Sequence, residues 1–244
     1  MKITIILFLQ LFTILHCCFS QTLGSMQVDI VGPIEFVVTD SSGRKQGFDP
    51  RTNSSFNEIP NTNYALGGTG TIDPADEPID ATEFSFINQI SDPNFRENYS
   101  LQIIGTGLGI YLGGNAMSQT YALDISIDIL GVINLNQTIN YTIFFSTNPL
   151  QPPTMKKVVT IAVLRQDLVN CRTLNIILDQ TIYKDLLKDV DQYKTAIASK
   201  NFQSAQKKLL DFKKRVDKVQ SDSTKILDKA FKILTEDISI LQDQ

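Results

Sequence analysis

Leu123-Asp124-Ile125-Ser126-Ile127-Asp128-Ile129 alternates apolar and polar residues over its whole length. Successive side chains of a strand point to opposite faces, so this spelling puts every apolar residue on one face and every polar residue on the other. The same reading extends upstream. Glu83-Phe84-Ser85-Phe86-Ile87 and Tyr99-Ser100-Leu101-Gln102-Ile103-Ile104 alternate, and the runs 27–31 and 34–38 flank Gly32-Pro33. Thr39-Asp40-Ser41-Ser42-Gly43 closes the last of these with turn residues. Downstream, 140–145 supplies another β-prone run. Short strands at such spacing predict an antiparallel β-sandwich or barrel with one buried face per sheet. The Gly-rich piece 105–113 reads as a hairpin, because no helical pattern follows it to offer a phosphate an N-terminus.

Past residue 154 the period changes. Leu186, Val190, Tyr193 and Ile197 form one stripe at helical spacing, with Leu187 beside it. Ala205, Leu209, Phe212, Val216 and Val219 form a second, and the apolar positions from Ile226 to Leu241 a third. Ser199-Lys200-Asn201 and Ser221-Asp222-Ser223 are polar breaks able to cap the helices that follow. The segment 158–164 fits a last strand or a first helix, with helix preferred. The expected class is therefore α+β and multidomain: an N-terminal antiparallel β-sandwich, then a C-terminal antiparallel bundle of three to four helices.

Charge divides at the same place. Residues 21–154 carry 4 Lys+Arg against 14 Asp+Glu, a net of −10, and residues 155–244 carry 17 against 12, a net of +5. The adjacent Pro152 and Pro153 oppose helix and remove backbone donors. The expected division is 1–20 signal peptide, 21–148 sandwich, 149–154 linker and 155–244 bundle.

Lys2 followed by an apolar run to Leu15, and Cys18-Phe19-Ser20 beyond it, has the layout of a secretory signal cleaved after Ser20. That run is shorter than the roughly 20 residues a membrane-spanning helix needs. Cleavage would remove His16, the only histidine, together with Cys17 and Cys18, leaving Cys171 as the single thiol. No Ser-His-Asp triad, Cys-His pair or Cys/His zinc site could then exist, and no intramolecular disulfide.

Asp40-Ser41-Ser42-Gly43-Arg44-Lys45-Gln46-Gly47-Phe48-Asp49-Pro50, with Asn57-Glu58-Ile59-Pro60 and Tyr64 after it, resembles the opening of a β-sandwich domain of secreted and surface-anchored bacterial proteins. The stretch 99–111 resembles that family's later Gly-rich hairpin. The resemblance covers most of 28–148, departs from the family at Ser41 where proline is usual, and implies an exported accessory domain with no established reaction. Residues 187–216 are similar to the small helical FIMAH-type module that ends some bacterial extracellular proteins. Read as residues alone, Asp40 caps the turn, Gly43 supplies its unusual φ, and Arg44 is expected to pair with Asp49 or Glu58.

Asp73, Asp76, Glu77 and Asp80 crowd four carboxylates into one proline-stiffened loop, which reads first as a solvated acidic loop and offers hard oxygen ligands for Ca²⁺. Asp40 with Asp49 is a lesser candidate pair. No other cofactor is indicated. Lys207, Lys208, Lys213, Lys214, Arg215 and Lys218 line one helix, a solvated face or a seat for an anionic surface. Asn53, Asn98, Asn136 and Asn140 stand in N-glycosylation sequons, relevant only in a glycosylating host. With Trp absent and no marked carboxylate pair, the expectation is a noncatalytic extracellular or cell-surface module. It would bind a protein or polymer through its sandwich loops, with no nucleic-acid partner and no transmembrane helix in the mature chain. The competing readings are a structural accessory pair without a ligand and a carboxylate-based hydrolase.

Overall fold

The computed structural model describes residues 24–69, 82–90, 92, 94–119, 123–220 and 222–244. Among them the chain forms two antiparallel sheets and four helices, an α+β fold. Strands β1 (Gly24–Gly32), β5 (Thr62–Thr69), β6 (Thr82–Ile90), β8 (Gly109–Gln119) and β9 (Leu123–Ile133) make one sheet in the order β5-β6-β1-β8-β9. Strands β2 (Ile34–Thr39), β3 (Lys45–Asp49), β4 (Ser54–Asn57), β7 (Arg96–Gly105), β10 (Thr138–Ser146) and β11 (Thr154–Lys157) make the other, ordered β11-β10-β7-β2-β3-β4.

Period-two spelling explains how the sheets meet. Met26, Val28, Ile30, Phe86, Tyr111 and Met117 of the first sheet share one buried cluster with Phe36, Leu101, Ile103, Ile143 and Phe145 of the second. Each such side chain taken fully from water contributes about 1.5–3 kcal/mol. Phe36 and Tyr64 meet edge to face across the sheets, with ring centroids 5.1 Å apart. The alternation 123–129 lies on β9, where Ser126 and Asp128 face outward or lie exposed and Ile129 is buried. Beyond it the strand becomes continuously apolar for a reason. Ile129 and Ile133 enter the core between the sheets, while Leu130 and Val132 turn the other way and pack under the helices. A strand covered on both faces loses its alternation.

The expected hairpin at 105–113 is a correction. β7 and β8 belong to different sheets, so 106–108 is a crossing between them. Gly105 N–H donates to Gln137 O and Thr106 N–H to Pro33 O, tying the loop to neighbouring turns rather than across a hairpin. A Cβ on Gly105 would stand 2.0 Å from Asn134 O, so this glycine answers to close backbone approach. Gly43 does take the turn conformation expected of it, with φ +82°.

Pro152 and Pro153 do not end the sheet. β11 follows them and pairs with β10 in the register Tyr141–Lys157, Thr142–Lys156, Ile143–Met155. The ambiguous segment 158–164 then divides: the strand stops at Lys157, and α1 (Ile161–Thr173) starts behind Thr160, whose hydroxyl accepts from Val163 N–H. Helix α2 (Gln180–Ala198) is capped by Asp179, and α3 (Phe202–Val219) by Asn201 from the expected polar break. The other break acts differently. Asp222 holds its own turn through Thr224 N–H, and α4 (Asp228–Gln242) begins at Leu227 without a side-chain cap.

Apolar stripes of all four helices converge. Leu164, Leu168 and Cys171 of α1 meet Leu186 and Val190 of α2, Phe212 and Val216 of α3, and Ile233, Leu234 and Ile238 of α4. Ile110, Leu130 and Val132 from β8 and β9 join the same cluster, so the first sheet is part of the helical core. Ile197, expected in the first stripe, is 39 % exposed because the end of α2 and the start of α3 flank an open cleft.

Candidate functional site

Two features stand out chemically, and the first is a sealed ionic cluster between sheet and helices. On β11 the buried positions are Met155 and Lys157, with Val159 beyond, which places a lysine on the covered face of a period-two segment. Asp167 shares the inner face of α1 with Leu164, Leu168 and Cys171, and Asp237 stands on α4 between Leu234 and Ile238. Lys157 Nζ donates to Asp167 Oδ2 at 2.8 Å and to Asp237 Oδ1 at 2.6 Å, and none of the three side chains is exposed. Among the described residues Asp167 Oδ1 and Asp237 Oδ2 meet no donor, while the two carboxyls lie close enough to share a proton. Tyr111 of β8 and Tyr141 of β10 close one side, their hydroxyls 3.2 Å apart.

Burial dominates the protonation of this cluster. It pushes Asp237 up to about 8, with the like charge of Asp167 adding to the shift and Lys157 opposing it. Burial pulls the Lys157 ammonium down, but the two carboxylates outweigh it and the net shift is upward. Burial also raises Tyr111, Tyr141 and the Cys171 thiol. With one proton held by the carboxyl pair, the cluster is neutral as a unit. Removing the lysine or its ionised partner typically costs about 3–5 kcal/mol, because a charge is left buried and unpaired. A cleft of about 660 Å³ lies against this region, lined in part by Tyr141, Met155, Lys157 and Glu236.

The second feature is an apolar cleft of about 770 Å³ at one end of the helices. The end of α2 contributes Tyr193 and Ile197, the start of α3 contributes Phe202, Leu209 and Leu210, and the end of α4 contributes Leu241. Phe202 is 63 % exposed, and Ile197 and Leu210 are exposed beside it. Three exposed large apolar side chains around one concavity form a contiguous patch, the kind of surface that marks an interaction site. Lys194 and Gln206 stand at its polar edge.

The residues singled out from sequence fare unevenly. Asp73, Asp76, Glu77 and Asp80 lie outside the described residues. Among the described residues no group of three or more His, Cys, Asp or Glu side chains is arranged to hold a metal ion. Asp40 accepts from Ser42 N–H, Arg44 N–H and Arg44 Nε, so Arg44 pairs within its own turn rather than with Asp49 or Glu58. Glu58 instead accepts from Lys45 N–H. Asp49 holds Arg51, whose hydrogen bond keeps that carboxyl below its usual range. Asp40 and Asp49 thus serve separate turns and form no joint site. Asn53, Asn98 and Asn136 are exposed, whereas Asn140 is half-buried and accepts from Gln102. On α3, Arg215 reaches Asp189 and Asp185 of α2 and Lys213 pairs with Asp217, so the basic row is partly neutralised by its own fold. Cys171 is buried and unpaired. No helix among the described residues is long and apolar enough to cross a membrane.

Sequence reading missed Lys157, Asp167 and Asp237. The signal was present: each is a charged residue on a face that the local period marks as covered. The cleft gave less warning, since Ile197 and Phe202 read as ordinary members of apolar stripes. Compared with protein-family models, curated proteins and solved structures, the chain matches none of them.

Proposed function

We propose that this chain is a noncatalytic exported binding module in which a β-sandwich carries a helical bundle, and that the bundle's apolar cleft takes a segment of an extracellular protein. The observation that carries this reading is the concavity ringed by exposed Ile197, Phe202 and Leu210. The sandwich reading rests on the single core shared by the two sheets, and the bundle reading on the convergent helical stripes. Export rests on the first twenty residues and on the resemblance of 40–64 to exported sandwich domains. The helical region's net charge of +5 and Lys194 at the cleft edge favour a partner segment that is apolar with acidic flanks.

A panel of immobilised extracellular proteins and polysaccharides tests this with the native chain and with Phe202→Asp combined with Leu210→Asp. Both positions are exposed, so the pair leaves the core intact. Binding to a protein that falls by about tenfold or more in the double variant is the expected result, since a central aromatic anchor commonly carries 2 kcal/mol or more. Binding unaffected by the pair would move the seat to the sandwich loops. Absence of any binding would favour the structural accessory reading, which the sealed ionic cluster between sheet and helices independently supports.

A further inference from the structure

We propose that Lys157 and Asp237 join in an intramolecular amide bond, formed by the protein itself, with Asp167 as the proton carrier. Four observations converge on it. Lys157 Nζ touches an oxygen of each carboxyl group, at 2.6 Å for Asp237 and 2.8 Å for Asp167. All three side chains are sealed from solvent, which removes competing water and holds the reacting groups in one arrangement. The two carboxyl oxygens that Lys157 does not engage meet no donor among the described residues, and Asp167 and Asp237 lie close enough to share a proton, which is what the proton carrier needs. The lysine and the acid come from segments 80 residues apart, brought together only by the fold.

The step balances within the cluster. It starts as ammonium, Asp167 carboxylate and Asp237 carboxylic acid. One proton passes from Nζ to Asp167, which keeps the cluster neutral and leaves a lone pair on the amine. That pair attacks Asp237 Cγ and forms the C–N bond while the carbonyl pair moves onto oxygen. Asp167 gives its proton to the Asp237 hydroxyl and takes one from Nζ. The C–O bond breaks as the carbonyl re-forms, and water leaves. The products are an amide N–H, one water and a protonated Asp167, with every mobile proton accounted for and no oxidation. The elevated proton affinity of Asp237 supports its part as acceptor, because a carboxylic acid loses hydroxide far more readily than a carboxylate loses oxide. Tyr111 on β8 and Tyr141 on β10 face the cluster from other elements, and Cys171 on α1 and Glu236 on α4 stand beside it on its own helices. The cleft lined by Tyr141 and Glu236 offers the water an exit.

A tryptic map of the full-length purified chain decides it. The expected product is a branched peptide of 157–165 joined to 233–244, one water lighter than the two separate peptides. Asp237→Asn should give the identical branched peptide, now by loss of ammonia. Asp167→Asn, which keeps shape and removes the proton carrier, should abolish it. Recovery from the native chain of 233–244 at its full linear mass, with cleavage after Lys157, would overturn the proposal without reference to any variant. A branch to 166–172 instead would overturn the assignment of Asp237 as acceptor, and persistence of the bond in Asp167→Asn would overturn the role of Asp167.

Discussion

Glu35 on β2 is half-buried and accepts a hydrogen bond from the Tyr64 hydroxyl of β5, one contact linking the two sheets. Burial raises the carboxyl above its ordinary value, with the tyrosine bond opposing that shift. The native state therefore binds this proton more tightly than the unfolded chain does. Its stabilising contribution is complete below the unfolded value of about 4.3 and is lost as pH rises through the higher folded value. Glu35→Gln should flatten the fall in stability with pH just above that point, measured as urea midpoints across the weakly acidic range. A slope identical to the native chain's would rule out the contribution. The tyrosine and the glutamate are each visible in sequence, but nothing in 35 or 64 announces the other. Turn residues are different. The turn at Asp40 and Gly43 was legible because its partners are local, whereas Arg44, expected to reach Asp49 or Glu58, closes back on Asp40 instead.

At the scale of elements, helices were legible as stripes and caps, while their mutual anchoring was not. Arg215 shows why. It belongs to what reads as a basic face, yet its guanidinium crosses to Asp189, whose side chain is only 5 % exposed, and to Asp185. Lys213 on the same helix pairs with Asp217 one turn away, with both partners exposed. Arg215→Ala should destabilise by about 1–3 kcal/mol, because it strands a nearly buried carboxylate. Lys213→Ala should cost under about 0.5 kcal/mol, as exposed helix pairs do. Chemical denaturation of the two variants side by side checks the contrast, and equal effects would mean that Asp189 finds another donor. The crossing at Gly105 makes the same point for strands. Period two reports which face a side chain takes and says nothing about which sheet the next strand joins.

For the whole molecule, the sequence suggests a seam at the prolines, and the structure places exposed chain there: Leu150 is 88 % exposed. The same structure packs Ile110, Leu130 and Val132 of the first sheet into the helical core and pairs β11 with β10. Brief proteolysis should therefore nick near Leu150 without separating the pieces, since the fragment after the nick carries β11 and all four helices. Co-elution of both fragments in gel filtration, with a single thermal transition by helix and tyrosine signals alike, is the expected result. Fragments that part, or two resolved transitions, would show that sheets and helices are independent units.

The sequence by itself determined six of the strand runs, the helical stripes, the turn at Asp40 and Gly43, the break before α3 and the division of charge between the two regions. These are local quantities, set by backbone geometry, capping and the period at which apolar side chains recur. Only the tertiary structure decided that 106–108 crosses between sheets, that the end of β9 is covered on both faces, and that Ile197 and Phe202 face an open cleft. It alone brought Lys157, Asp167 and Asp237 together. A charged residue on an apolar face is visible in one dimension. Its partner is not, because whether burial leaves a charge stranded, paired or reactive depends on which distant element the same core draws against it.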